Sequence, residues 1–178
     1  TLEELQALLP YLERELLATW AREAKYLEVP PGQSLLREGS HVPSLPWVLS
    51  GRVRVVTSGD AKELLLYYIE PRQSCVMSFS ACLTQQPSQI SAWTETATQL
   101  LLLPAEKLPQ WLQAFPSFQR SMNEQYQLRY LDLLDTVDQL VFHRLEDRLL
   151  AYLDKRLQGQ TRLQITHQEI ARDLGTAR

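Results

Sequence analysis

Cysteine, histidine, positive charge and long apolar runs are all in short supply in this chain. The two cysteines, Cys75 and Cys82, are too few for a disulfide framework in 178 residues and too close in sequence to close a long stabilising loop. A reduced, intracellular and cytoplasmic setting is the expectation. The three histidines, His41, His143 and His167, stand far apart, which counts against a metal-dependent jelly-roll enzyme, whose site gathers His and carboxylate ligands. No Gly-rich phosphate loop, Gly-x-Ser-x-Gly elbow or metal-spaced His pair occurs, so no enzymatic activity is expected. No apolar run reaches the roughly 18 residues that suggest a membrane span. Thr1 to Tyr11 carries Glu3 and Glu4 where an export signal would carry basic residues, and no membrane partner is expected. Lys and Arg number 18 against 21 Asp and Glu, a net charge of −3, so any contact with nucleic acid must be local.

Apolar residues make up 44% of the chain, enough for one large core and a small appendage. Leu2, Leu5, Leu8, Leu9 and Leu12 recur at helical spacing, and Leu16, Leu17 and Trp20 continue the pattern after Pro10, which separates two short helices. From Lys25 to Leu103 the pattern changes to short apolar runs, at Tyr26 to Val29, Ser34 to Leu36, Trp47 to Leu49, Val53 to Val56, Leu64 to Ile69 and Leu100 to Leu103. Turn residues such as Pro30-Pro31-Gly32, Glu38-Gly39-Ser40 and Ser50-Gly51 lie between them, which predicts a sandwich, roll or barrel. Ser58-Gly59-Asp60 reads as a hairpin loop.

After Pro104 the helical period returns, and a stretch from about Ser117 to Val141 contains neither Gly nor Pro. Tyr130, Leu134, Val137 and Val141 keep a 4-3-4 spacing, while Tyr126, Leu133 and Leu140 form a second row at intervals of seven. One apolar flank suits packing on the helix's own β domain. The second favours a partner helix and hence a parallel homodimer seam of Tyr126, Tyr130, Leu133, Leu134, Val137, Leu140 and Val141. Phe142 to Leu157 reads as another helix, stopped near Gly159, and Arg162 to Ile165 as a short strand.

Thr166-His167-Gln168-Glu169 has the spacing of a capping box, Ile170, Ala171 and Leu174 lie on one helical face, Gly175 supplies a turn, and Thr176 can cap a following helix. This is helix, turn, helix start, with Ala177 and Arg178 opening the second helix. A helix-turn-helix reads the major groove with the first residues of its second helix, so Arg178 is placed to donate to guanine or phosphate unless it is an ordinary solvated charge.

The run Thr-x-x-Glu-Ile-Ala-x-x-Leu-Gly-Thr-x-Arg from Thr166 to Arg178 resembles the DNA-binding region of the Crp/Fnr family of bacterial transcription regulators. Pro31-Gly32, Leu36-x-Glu38-Gly39 and Val48-Leu49-Ser50-Gly51-x-Val53-Arg54-Val55 are similar to that family's cyclic-nucleotide-binding β-roll, and Leu145 to Leu150 resembles the segment after its dimerisation helix. The resemblance implies an α+β protein with a jelly-roll-like β-roll sensor over 1–116, a dimerisation helix over 117–141, and a winged helix-turn-helix over 142–178 that stops as the recognition helix begins. It implies a homodimer that binds two-fold related operator DNA through Thr166, His167, Gln168, Thr176 and Arg178 and engages RNA polymerase. A complete reading head is expected to bind operator with steep salt dependence, and a chain ending at Arg178 to bind weakly or not at all. The alternative is a stand-alone small-molecule or cyclic-nucleotide sensor module without DNA binding.

Relatives that hold cyclic AMP use a Gly-Glu pair for the ribose and an Arg-Ser pair for the phosphate. The matching segment, Gln73 to Thr94, contains no Asp, Glu, Lys or Arg, and Ser91 follows Ile90. A phosphate monoanion beside Ile loses its charge-assisted partner, which argues against cyclic AMP. An iron–sulfur cluster needs four ligands, usually cysteine, and is disfavoured. Haem stays open, with His41, His143, Cys75 or Met77 as axial ligands and no local pattern selecting one. The effector is therefore unassigned. Cys75 and Cys82 are read as a redox-responsive pair, as the wall of a pocket for an uncharged effector, or as buried small apolar residues. The candidate pocket comprises Cys75, Met77, Ser78, Cys82, Ile90, Ser91, Tyr126 and Tyr130.

Overall fold

Short alternating strands and glycine turns build two antiparallel sheets from β1 (Lys25–Val29), β2 (Ser34–Leu36), β3 (Ser44–Ser50), β4 (Val53–Gly59), β5 (Lys62–Ile69), β6 (Ser91–Thr94) and β7 (Thr98–Pro104). One sheet has the order β1-β7-β3 and the other β2-β6-β4-β5. The computed structural model describes residues 1–59, 62–142, 145–157 and 162–175. The helices are α1 (Leu2–Leu8), α2 (Arg14–Glu23), α3 (Val76–Thr84), α4 (Leu108–Ala114), α5 (Pro116–Phe142), α6 (Leu145–Leu157) and α7 (His167–Asp173). None is long and apolar enough to cross a membrane among the described residues. The architecture is the expected α+β combination of a β-roll and one long helix.

Strand period two gives each sheet two different faces. On the three-stranded sheet Leu45 pairs with Leu103 and Trp47 with Leu101, and this face meets the helices. Trp20, Trp47, Trp111 and Phe118 form its aromatic centre, with Trp20 and Trp47 ring centroids 5.0 Å apart and Trp20 edge-on to Phe118 at 5.8 Å. The first turns of α5 pack into the roll's core through Phe118 and Met122. On the four-stranded sheet Val53, Val55, Ala92 and Tyr67 face inward, while Arg54, Tyr68 and Trp93 share the outer face.

Gly51 is where the backbone leaves least choice. Its φ is +84°, and a Cβ there would lie 2.3 Å from the Ala97 carbonyl oxygen, so only glycine fits the turn between β3 and β4. The β4–β5 hairpin pairs Gly59 with Lys62 as the sequence suggests, with Asp60 and Ala61 outside the described residues. Three features differ from the sequence reading. Cys75 to Thr84 contains a helix, α3, that was not foreseen, β6 was not foreseen either, and Arg162 to Ile165 is irregular rather than a strand.

Candidate effector site and the helix docked on the roll

The uncharged segment between β5 and β6 folds as α3 because Cys75 caps it, its sulfur accepting the Ser78 N–H at 3.3 Å, and because Val76, Phe79 and Cys82 are buried against the core. The segment's start is fixed to α5: the Ser74 N–H donates to Gln125 Oε1 at 2.6 Å, and the Ser74 hydroxyl donates to the Pro46 carbonyl at 2.7 Å. The Tyr126 hydroxyl donates to the Val76 carbonyl at 3.1 Å, and its ring stands edge-on to Phe79 at 6.2 Å. These contacts bond the start of α3 to the middle of α5.

The two thiols occupy different environments. Cys75 Sγ lies 3.5 Å from the Tyr67 hydroxyl, while the Cys82 thiol donates to the Val42 carbonyl at 3.5 Å. Burial, with a smaller contribution from Cys75, pushes the Cys82 thiol up to about 11. Cys75 caps α3 and Cys82 sits two turns further on, which separates their Cα atoms by roughly 10 Å, whereas a disulfide needs less than about 7 Å. An internal disulfide is incompatible with α3.

The segment from Gln73 to Thr94 offers a cyclic phosphate no cation of its own. Ile90 is buried, and the Ser91 hydroxyl already accepts the Glu38 N–H at 3.0 Å. Arg129, reaching in from α5, is committed to Asp132 and Gln73, both at 2.8 Å, to the Tyr68 carbonyl at 3.2 Å, and to the face of Tyr67, 4.6 Å from the ring centroid. Ser78 is buried, and its hydroxyl has no hydrogen-bond partner among the described residues. It borders a cavity of about 430 Å³ between the sheets, with Leu27, Leu36, Val42, Pro46 and Leu102 in its walls. Of the eight proposed pocket residues, only Ser78 lines this cavity. Cys75, Cys82 and Ile90 are buried, Met77 and Ser91 are half-buried, and Tyr130 is 61% exposed on α5. His41, a candidate haem ligand, stands exposed at the cavity's rim, and His143 lies outside the described residues.

On α5, Tyr130, Leu133, Leu134 and Val137 are exposed, joined by Leu128 and Leu131, which the heptad spacing did not pick out; Tyr126 is 39% exposed and turned partly toward α3. Leu140 and Val141 fall in the last turn, where side chains lie outside the described residues.

The capping box forms as read. The Thr166 hydroxyl accepts the Glu169 N–H at 3.2 Å, and Glu169 accepts the Thr166 N–H at 2.7 Å. The Thr166 N–H and the Thr166 hydroxyl, both donating to the Glu169 carboxylate, hold that carboxyl below its usual range. Thr166, His167 and Gln168 are exposed, Gly175 follows α7 with φ +63°, and Thr176 and Arg178 lie outside the described residues. The inner side of α7 rests on the roll. Arg54 donates to Asp173 at 2.7 Å, the Tyr152 hydroxyl donates to the same carboxylate at 2.9 Å, Arg148 donates to the Leu174 carbonyl at 2.8 Å, and Leu174 bridges to Leu64 of β5. Arg156 of α6 bonds the Tyr68 hydroxyl and pairs with Glu95. The sequence carried no sign of Arg54, Arg129, Arg156 or Asp173 as linking residues, because each pairs with groups remote in the chain.

The sequence pattern of the cyclic nucleotide-binding domain matches residues 26–115, half of the chain. Among solved structures, the c-di-GMP responsive global regulator CLP of Xanthomonas campestris superposes with a TM-score of 0.80 at 20% identity, over 93% of this chain and 86% of that one. A crp/fnr family protein from Eubacterium rectale gives 0.81 at 22% identity, over 96% and 80% of the two chains. The transcriptional regulator TTHA1359 of Thermus thermophilus gives 0.66 at 20% identity, over 85% and 79%. At these identities the likeness is one of fold. No curated protein sequence matches the chain.

Proposed function

Because the chain belongs to the cyclic nucleotide-binding domain family, we propose that it is a homodimeric, cytoplasmic, DNA-binding transcription regulator of the Crp/Fnr type. The observation that carries this reading is the unpartnered apolar face on α5, placed between a sensor roll and the capped helix α7. Exposed apolar groups at Tyr130, Leu133, Leu134 and Val137 are costly in water and suit burial against the same helix of a second copy. The likeness in fold to regulators supports the same assignment. The roll and the reading head divide near residues 116 and 142, with α5 between them. Thr166, His167 and Gln168 present exposed donors and acceptors at the start of α7, suited to phosphate and groove contacts, with Thr176 and Arg178 opening the recognition helix. RNA polymerase is the further partner.

In this scheme the roll is the sensor. An effector acts on α3, α3 acts on α5 through Tyr126 and Gln125, and α5 sets the separation of two reading heads. Selection of duplexes from a random library by the complete gene product tests the scheme. Two-fold related half-sites separated by whole helical turns, bound with affinity that falls steeply with salt, are the expected outcome. A dimer that enriches no sequence is instead a stand-alone sensor.

A further inference from the structure

Resting on the reading of the roll as a sensor, we propose that the roll interior binds a small, uncharged, mainly apolar molecule held by one hydrogen bond to Ser78, in place of a cyclic nucleotide. The cavity of about 430 Å³ is of the size that ligand pockets occupy, and Leu27, Leu36, Val42, Pro46 and Leu102 make its walls largely apolar. Ser78 is the polar lining residue that is fully buried: it is 1% exposed, and its hydroxyl has no hydrogen-bond partner among the described residues. A buried hydroxyl without a partner is costly, and a ligand atom that bonds it recovers that cost on binding. A hydroxyl both donates and accepts, so an alcohol, amide, ketone or lactone meets its requirement.

Charge decides against an anion. Gln73 to Thr94 supplies no ionisable group except its two thiols. Arg37 and His41 border the cavity only at its exposed rim, where water already solvates them and screens them from a charge inside. Arg129, which reaches Gln73 at the start of the segment, is held by Asp132, Gln73 and the Tyr67 ring. The backbone N–H of Ser78 lies in the first turn of α3, bonded to Cys75, and the neighbouring Val76 carbonyl holds Tyr126 of α5. A ligand on the Ser78 hydroxyl therefore acts two residues from the contact that couples the roll to the long helix.

Isothermal titration calorimetry of the whole protein with n-octanamide, octanoate and cyclic AMP tests the assignment. Octanamide is expected to bind, with octanoate and cyclic AMP weaker by about tenfold or more; Ser78→Ala is expected to weaken octanamide by about tenfold, the worth of one buried hydrogen bond. Leu36→Trp, which fills the cavity, is expected to abolish binding, and Ser78→Ala carries the test should the larger side chain prevent folding. Absence of octanamide binding, or binding indifferent to Ser78→Ala, overturns the proposal. So does tighter binding of cyclic AMP than of octanamide. The dimer and the selected duplex are measured without any of these probes, so failure here leaves the regulator reading standing and failure there leaves this assignment standing.

Discussion

Arg54 of β4 and Asp173 of α7, 119 residues apart in sequence, form a 2.7 Å ion pair whose side chains are 8% and 2% exposed. The pair joins the outer face of the roll to the helix that precedes the turn at Gly175. A helix of seven residues has little stability of its own in water, so α7 depends on this docking, on Tyr152 and on the Leu64–Leu174 bridge.

Removing one partner strands a buried charge, which costs about 3–5 kcal/mol. Because α7 lies at the edge of the molecule, Arg54→Ala is expected to release it rather than unfold the roll. Hydrogen exchange should quicken over 145–157 and 162–175 while β3 and β7 stay protected. Equal loss of protection throughout would show that the docked helix and the roll are one cooperative unit.

The exposed row on α5 gives a second prediction. Leu133→Glu with Val137→Glu places charge where a partner helix is expected to pack, and should convert a dimer to a monomer in sedimentation without lowering the roll's melting temperature by more than a few degrees. A wild-type monomer, or a double variant that remains dimeric, would remove α5 as the seam.

Gly51→Ala forces a left-handed φ on a residue with Cβ and drives that atom into the Ala97 carbonyl. The backbone term alone is about 1–3 kcal/mol, and the contact adds to it. Urea denaturation should show a clear loss of stability. A midpoint unchanged from wild type would mean that the turn can reshape at little cost.

Cys82 gives a pH dependence of definite sign. Its pKa is raised on folding from about 9 to about 11, so the folded state holds the proton that the unfolded state releases. Its contribution to stability is complete below pH 9 and is lost as pH rises toward 11. Tyr68, pushed up to about 12 by burial, extends the decline further into alkali. Melting temperature should therefore fall between pH 9 and 11, and fall less in Cys82→Ala. A parallel decline in both proteins would assign the slope to the tyrosines.

Thr166→Ala removes the hydroxyl that caps α7 and should cost about 1 kcal/mol, confined to that helix and visible as faster exchange at the N–H of Glu169. An unchanged rate at Glu169 would show that docking on the roll, and not the cap, holds the first turn.

Local chemistry was enough to read much of this chain. Pro10 separating two leucine-rich helices, the β4–β5 hairpin, the long helix without Gly or Pro, and the box from Thr166 to Glu169 all depend on neighbours a few residues apart, and periodicity reports such neighbours directly. The Gln73 to Thr94 segment was legible as uncharged, but α3 within it was not, since Ser, Cys and Thr mask a helical period and the helix is held by Phe79 on Phe118 and by a sulfur cap. β6 is four residues long and exists because Thr94, Trp93, Ala92 and Ser91 pair with Val53 to Val56. Arg162 to Ile165 has strand-like composition yet belongs to no sheet, because propensity without a partner strand is not enough.

The sequence by itself determined most of the element types, the order of roll, long helix and capped helix, and the absence of charge within the effector segment, all of which are properties of composition and short spacing. Only the tertiary structure decided that Cys75 and Cys82 serve separate contacts, that Ser78 lines the cavity between the sheets, and that Arg54 clasps Asp173. Those relationships arise where strands and helices distant in sequence are packed together, and one-dimensional periodicity carries no information about which side chains then meet.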